Sequence, residues 1–165
     1  PRRTAPGLTV TSTGARTRAV AAEVIDAVVT HGKSLDAAIA AHESRLPPVE
    51  RPMLRMLCFG VLRNHWRLQE WIGQLLNRPL KKRDSVINAL LAIGLFQLTD
   101  TRVPEHAAVA LTVDAARALR RPKLAGLVNA CLRRFQRGEQ RVRSGVLCVL
   151  VDHGPPRVTK RSRIS

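Results

Sequence analysis

Residues 85–98 read SVINALLAIGLFQL, and the fold turns on them. Val86, Ile87, Leu90, Leu91, Ile93, Leu95, Phe96 and Leu98 spread around the circumference of a helix instead of lining one stripe. A helix with almost no polar face is stable in water only when other helices cover it, so this segment is expected at the centre of a domain. Asp84, directly before it, is the residue type that caps a helix N-terminus with a side-chain oxygen.

The flanking segments carry a narrower pattern, with apolar residues at steps of 0, 3, 4, 7 and 8, which marks one buried face per helix. Toward the C-terminus, Pro104 and Pro122 stand where first-turn prolines open helices, since the donor that proline lacks would have no partner there. One helix then runs through Ala108, Leu111, Ala115, Ala116 and Leu119, and another through Leu124, Leu127, Val128, Cys131, Leu132 and Phe135. The period fades near Gln140.

Toward the N-terminus, a first helix uses Ala21, Val24, Ile25, Val28 and Val29 and stops at Gly32, a natural left-handed cap. Ser34 caps a short second helix through Leu35, Ala38 and Ile39, and Pro47 and Pro48 end it. A third helix buries Leu54, Leu57, Cys58, Val61 and Leu62, with Pro52 tolerated in its first turn. A fourth follows through Leu68, Trp71, Ile72, Leu75 and Leu76, and a basic connector from Arg78 to Arg83 leads into the central helix. Seven helices, short connections and no convincing strand before Gln140 predict an all-α bundle with antiparallel neighbours.

The ends read differently. Residues 1–14 are rich in Arg, Thr, Pro and Gly without helical spacing and are expected to form a mobile basic arm. Residues 138–165 form an atypical basic tail, in which Val146 to Val151 has strand character but nothing to pair with. Disorder, or loose contact with the bundle, is the expectation there, and 15–137 is the domain proper. The chain opens on Pro1 without an initiator Met, which suggests missing or processed residues.

The chain has 165 residues, 45% of them apolar and 24% charged, which suits one globular core. Lys and Arg number 28 against 12 Asp and Glu. Residues 1–140 alone hold 22 basic and 11 acidic side chains, so the excess belongs to the domain and not only to the tail. Such a surplus favours phosphate neutralisation and counterion release, and nucleic acid is the natural partner. No stretch has about 18 continuous apolar residues, and no charged leader precedes a short apolar run, so a cytoplasmic location away from membranes is expected.

Catalytic signals are sparse. His31, His42, His65, His106 and His153 include no i, i+4 pair and no nearby Cys, which argues against a metal site. No glycine-rich phosphate loop occurs. Cys58, Cys131 and Cys148 form no close pair, and the first two fall on apolar helix stripes, where buried structural thiols are usual. Glu105 and His106 open a helix, where the carboxylate suits the positive end of the dipole. With no Tyr and only five Phe and Trp residues, an aromatic base-stacking sheet is excluded, so charge and shape would carry RNA binding. The candidate RNA contacts are Arg2, Arg3, Arg16 and Arg18 in the arm and first turn, Lys81, Lys82 and Arg83 in one connector, and Arg120, Arg121 and Lys123 in another.

Four stretches add a resemblance. The "FGVLR" of Phe59 to Arg63, the "FQL" of Phe96 to Leu98, the "VPEHAAV" of Val103 to Val109 and the "LVNACLRR" of Leu127 to Arg134 are similar, in order and spacing, to the N-terminal NusB-like domain of bacterial small-subunit ribosomal RNA cytosine-C5 methyltransferases. The resemblance covers roughly residues 15–137 and implies a NusB-like bundle that helps hold ribosomal RNA. It adds Arg63, Asn129, Arg133 and Arg134 as candidates for an RNA-facing or interdomain motif. It also implies a catalytic domain that binds S-adenosylmethionine and carries the catalytic cysteines, one of them after a proline. No cysteine of this chain follows a proline, so neither methyl transfer nor a cofactor is expected of it alone. After Arg137 the chain departs from the family, and a truncated or frame-shifted reading would account for the tail.

Two other readings stay open at this point. The NusB fold also serves a stand-alone transcription antitermination factor, although that factor resembles "VNGVLD" where this chain has "VNACLRR". The domain would otherwise be a docking module for a methyltransferase domain, its charge incidental. Oligomeric state is open between a monomer and a weak dimer.

Overall fold

The apolar stretch at 85–98 forms a helix buried over most of its length: Ile87 and every residue from Ala89 to Gln97 are buried. The computed structural model describes residues 11–138, in which seven α-helices follow one another: α1 (Thr13–Val29), α2 (Leu35–His42), α3 (Arg51–Arg63), α4 (His65–Leu75), α5 (Ser85–Asp100), α6 (Glu105–Ala118) and α7 (Pro122–Gln136). Single 3-10 turns occur at Glu43–Arg45, Pro48–Glu50 and Lys82–Asp84, and no strand occurs among the described residues. The expected tail, and the arm as far as residue 10, lie outside the described residues.

Helix boundaries follow local chemistry. Ser12 Oγ accepts the Ala15 N–H at 3.3 Å and starts α1 at Thr13, so Gly14, expected in the arm, is already helical. Ser34 Oγ accepts the Ala37 N–H in the same way for α2. Gly32 ends the first turn region with φ +67°, its N–H donating to the Val28 carbonyl. Pro52 and Pro122 lie in the first turns of α3 and α7, while Pro104 lies one residue before α6 and caps it with its carbonyl. Asp84 departs from expectation: it precedes α5, yet its side chain caps nothing, because a distant arginine claims the carboxylate.

Helices α1 and α5 form the centre. α1 packs on α2, α3, α5 and α6, and α5 packs on α1, α3, α4, α6 and α7. Two glycines let α5 approach its neighbours. A Cβ on Gly60 of α3 would lie 2.0 Å from the Phe96 ring, and one on Gly94 of α5 would lie 2.7 Å from Leu132 of α7. Helices α6 and α7 form an antiparallel hairpin, closed at its open end where Gln136 Nε2 donates to Glu105 Oε2 at 3.0 Å. Trp71 of α4 packs on Phe135 of α7 at 5.1 Å between ring centroids, with the Arg67 guanidinium 5.0 Å from the Trp71 ring centroid.

Candidate nucleic-acid interface

Two turns separated by 37 residues in sequence meet at one end of the bundle. Arg121 Nε donates to Asp84 Oδ1 at 3.1 Å, and its Nη2 donates to the Arg83 carbonyl at 3.2 Å. The connector bearing Lys81, Lys82 and Arg83 is thereby fastened to the turn bearing Arg120, Arg121 and Lys123. That turn closes α6 with paired bonds, Arg120 N–H to the Arg117 carbonyl and Arg121 N–H to the Ala116 carbonyl, both at 3.0 Å. Such a turn needs a left-handed residue, and here Arg120 supplies it with φ +58°. The α1–α2 turn completes the same end: His31 and Lys33 share a depression with Val86, Leu119 and Arg121, into which Glu23 and Asp26 also bring carboxylates. Lys33 was missed from sequence because only the packing of α1 against α5 and α6 brings it there.

Most of the acids are already engaged in ion pairs, including Asp84 and Glu23 at this end. Glu23 pairs with Arg45, Glu43 with Arg55 at 2.8 Å, Asp100 with Arg67 at 2.6 Å, and Asp114 with Arg117 at 2.7 Å. Among the described residues, no ion pair takes Lys81, Lys82, Arg120 or Lys123, and all four are exposed. Exposed pairs contribute little to stability. Among the described residues Arg16, Arg63, Arg78, Arg102 and Arg133 are likewise exposed without an ion pair, so this end is one of several places where positive charge is left over, and the one where two basic turns are tied together.

The remaining expected contacts separate into surface and structure. Arg16 is exposed but near the start of α1, whose 17 residues span about 25 Å, so it lies far from the His31–Lys33 turn. Arg63, Asn129 and Arg133 are exposed on α3 and α7. Arg134 is half-buried and donates from Nη1 to the Leu75 carbonyl at 2.7 Å, tying α7 to the end of α4. Arg2 and Arg3 lie outside the described residues.

Arg18 is a correction. It is 3% exposed, with Nε donating to Gln97 Oε1 at 2.8 Å and Nη1 to the Gly14 carbonyl at 2.9 Å. Gln97 Nε2 donates onward to Thr112 Oγ1 and to the Ile93 carbonyl, so one polar chain joins α1, α5 and α6 through the core. Burial pushes the Arg18 guanidinium below its ordinary value, and the Glu50 carboxylate opposes that shift. Its place one position past Thr17 on a helix of small residues made it look like surface charge, whereas Gln97 inside the apolar α5 required a buried partner.

Both described cysteines are buried. Cys58 is fully buried and its thiol is pushed up to about 12 by desolvation. Burial likewise raises Cys131, against a smaller lowering by Arg134. Such burial is the setting of a structural thiol. The described residues contain no group of His, Cys, Asp and Glu arranged to hold a metal, and no helix long and apolar enough to cross a membrane.

Three relatives give the arrangement a lineage. Over 123 residues the chain is 42% identical to ribosomal RNA small subunit methyltransferase B of Pectobacterium carotovorum subsp. carotovorum and to that of Vibrio vulnificus, and 38% identical to that of Citrobacter koseri. In each case the match covers 74% of this chain and 29% of the relative's length. It corresponds to the NusB-like region of those proteins. Residues 15–137 match the model of the NusB family, over helices α1 to α7 as described above, and the chain belongs to that family.

Proposed function

We propose that this chain is the RNA-holding domain of a small-subunit ribosomal RNA methyltransferase, and that it lays its basic end against RNA phosphates. The convergence of the 81–83 and 120–123 turns, tied by Arg121 to Asp84 and left without acid partners at Lys81, Lys82, Arg120 and Lys123, carries the reading. An end surface of this kind holds structured RNA by charge and shape, and leaves chemistry to another domain. The burial of Cys58 and Cys131 fits a part that leaves methyl transfer to another domain. Family membership alone would suit an antitermination factor as well; the 42% identity to methyltransferase relatives favours the methyltransferase context. S-adenosylmethionine belongs to the catalytic domain of that context.

Binding of a fluorescent small-subunit ribosomal RNA fragment, titrated from 50 to 200 mM salt, tests the reading. Affinity is expected to fall by at least about tenfold over that range, as counterion release requires. Affinity that stays flat with salt would overturn it.

A docking role is favoured independently at α3 and α4, where Trp66 is 84%, Phe59 46% and Met56 38% exposed. Met56 and Phe59 are neighbours one turn apart on α3, and large exposed apolar groups of this kind mark protein contact surfaces. A Trp66→Ala variant is expected to keep its melting temperature and RNA affinity while losing affinity for a methyltransferase domain supplied in trans. Unchanged affinity for that domain would count against the docking role.

A further inference from the structure

An open cleft of about 600 Å³ lies between the C-terminal half of α1, α4 and the first turns of α5. Helical bundles normally fill such junctions with side chains. Here Gly73 and Ala92 leave the space empty, and an added Cβ on Gly73 would meet nothing within 4 Å. The base of the cleft is the core itself, through Ile25, Val61 and Ile72, and Val29 adds a 46% exposed apolar side chain to one wall.

The polar lining combines both signs, and Arg134, held by the Leu75 carbonyl, also lies on it. Lys81 and Lys82, both exposed, line the cleft where it joins the basic end. Between α5 and α4, Asn88 Nδ2 donates to Gln69 Oε1 at 2.9 Å. That bond leaves each amide further hydrogen-bonding capacity that no other described residue takes up: the Asn88 carbonyl as acceptor, the Gln69 amino group as donor. Asp26 adds a carboxylate, 16% exposed, which accepts the Thr30 hydroxyl at 2.7 Å and would repel an anion drawn inward. A ligand that fits carries negative charge at the lysine side and a flat, uncharged, donor-and-acceptor-bearing group on the inside. Free phosphate satisfies only the first condition, whereas a nucleotide satisfies both.

We propose that this cleft receives one unstacked nucleotide of a single-stranded RNA segment, its base among Val29, Gln69 and Asn88 and its phosphate against Lys81 and Lys82. The proposal rests on the RNA-holding reading and adds to it a preference for single strand over duplex. Splayed-out bases, read on their edges, are how proteins recognise single-stranded RNA.

The test uses the full chain with a labelled 12-nucleotide single strand and the same strand in duplex. The variant Gly73→Leu places a side chain in the cleft and replaces glycine inside a helix, so its melting temperature is expected to hold or rise. Asn88→Ala removes the amide that α5 contributes. Both are expected to weaken single-strand binding by about tenfold, the loss that one base contact accounts for, with duplex binding within about twofold of wild type. Single-strand affinity unchanged in both variants, or an equal loss on both RNAs, would overturn the cleft proposal and leave the RNA-holding reading standing. Failure of the unmodified chain to bind either RNA would remove that reading and the cleft proposal with it.

Discussion

Arg120 holds a left-handed backbone, φ +58°, at a helix end where glycine is the usual occupant. A side chain there costs about 1 kcal/mol, and strain of this kind is kept where the side chain has another use. Arg120→Gly should therefore raise the melting temperature by about 3 °C while weakening RNA binding a few-fold at low salt. Thermal melts and anisotropy titrations read both quantities; stability gained without affinity lost would detach Arg120 from RNA. The buried chain of Arg18, Gln97 and Thr112 follows a different logic. Gln97→Leu leaves the buried Arg18 Nε without its acceptor, with only the Gly14 carbonyl still on the guanidinium, and should cost about 3 kcal/mol in urea unfolding. Arg18→Met should cost less, and the double variant less than the sum of the two, since no charge is then left unpaired. Additive costs would show that the bond carries no coupling. Cys58 and Cys131 should resist a thiol reagent at pH 8 in the folded protein and react promptly in denaturant, given that burial raises both.

Among the elements, α5 was the most legible in sequence and also set the tolerances of its neighbours. Its apolar circumference dictated a central position, and the glycines of α3 and α5 fix how near the neighbours come. Gly60→Ala should destabilise the fold by about 2 kcal/mol, because the new methyl must displace the Phe96 ring in a packed core. A melting temperature equal to wild type would mean that α3 can draw back freely. Helix periods and caps were readable because they depend on neighbours in sequence, as at Ser34, Gly32 and Pro122. Side-chain partners across helices were not. Asp84 read as a cap and serves Arg121, and Arg18 read as surface and serves Gln97. Several residues of the motifs that carried the family resemblance are packing residues: Gly60 meets Phe96, Leu132 meets Gly94, and Arg134 ties down Leu75.

At the scale of the whole molecule, charge becomes a surface only through topology. Composition gave the excess of basic residues, and the two basic connectors were each visible in the sequence. That they share one end with Lys33, and that Arg16 lies a helix length away, follows from the antiparallel course of α5 and α6 and could not be read from spacing. If this end grips phosphates, salt slopes report it. For the unmodified chain and for a variant with Lys81, Lys82 and Arg83 all changed to Gln, the logarithm of RNA affinity is plotted against that of salt concentration. Each lost phosphate contact should flatten the slope by about one unit, so the account predicts a slope shallower by about two to three units, with the melting temperature unchanged. An unchanged slope and affinity in the variant would contradict it.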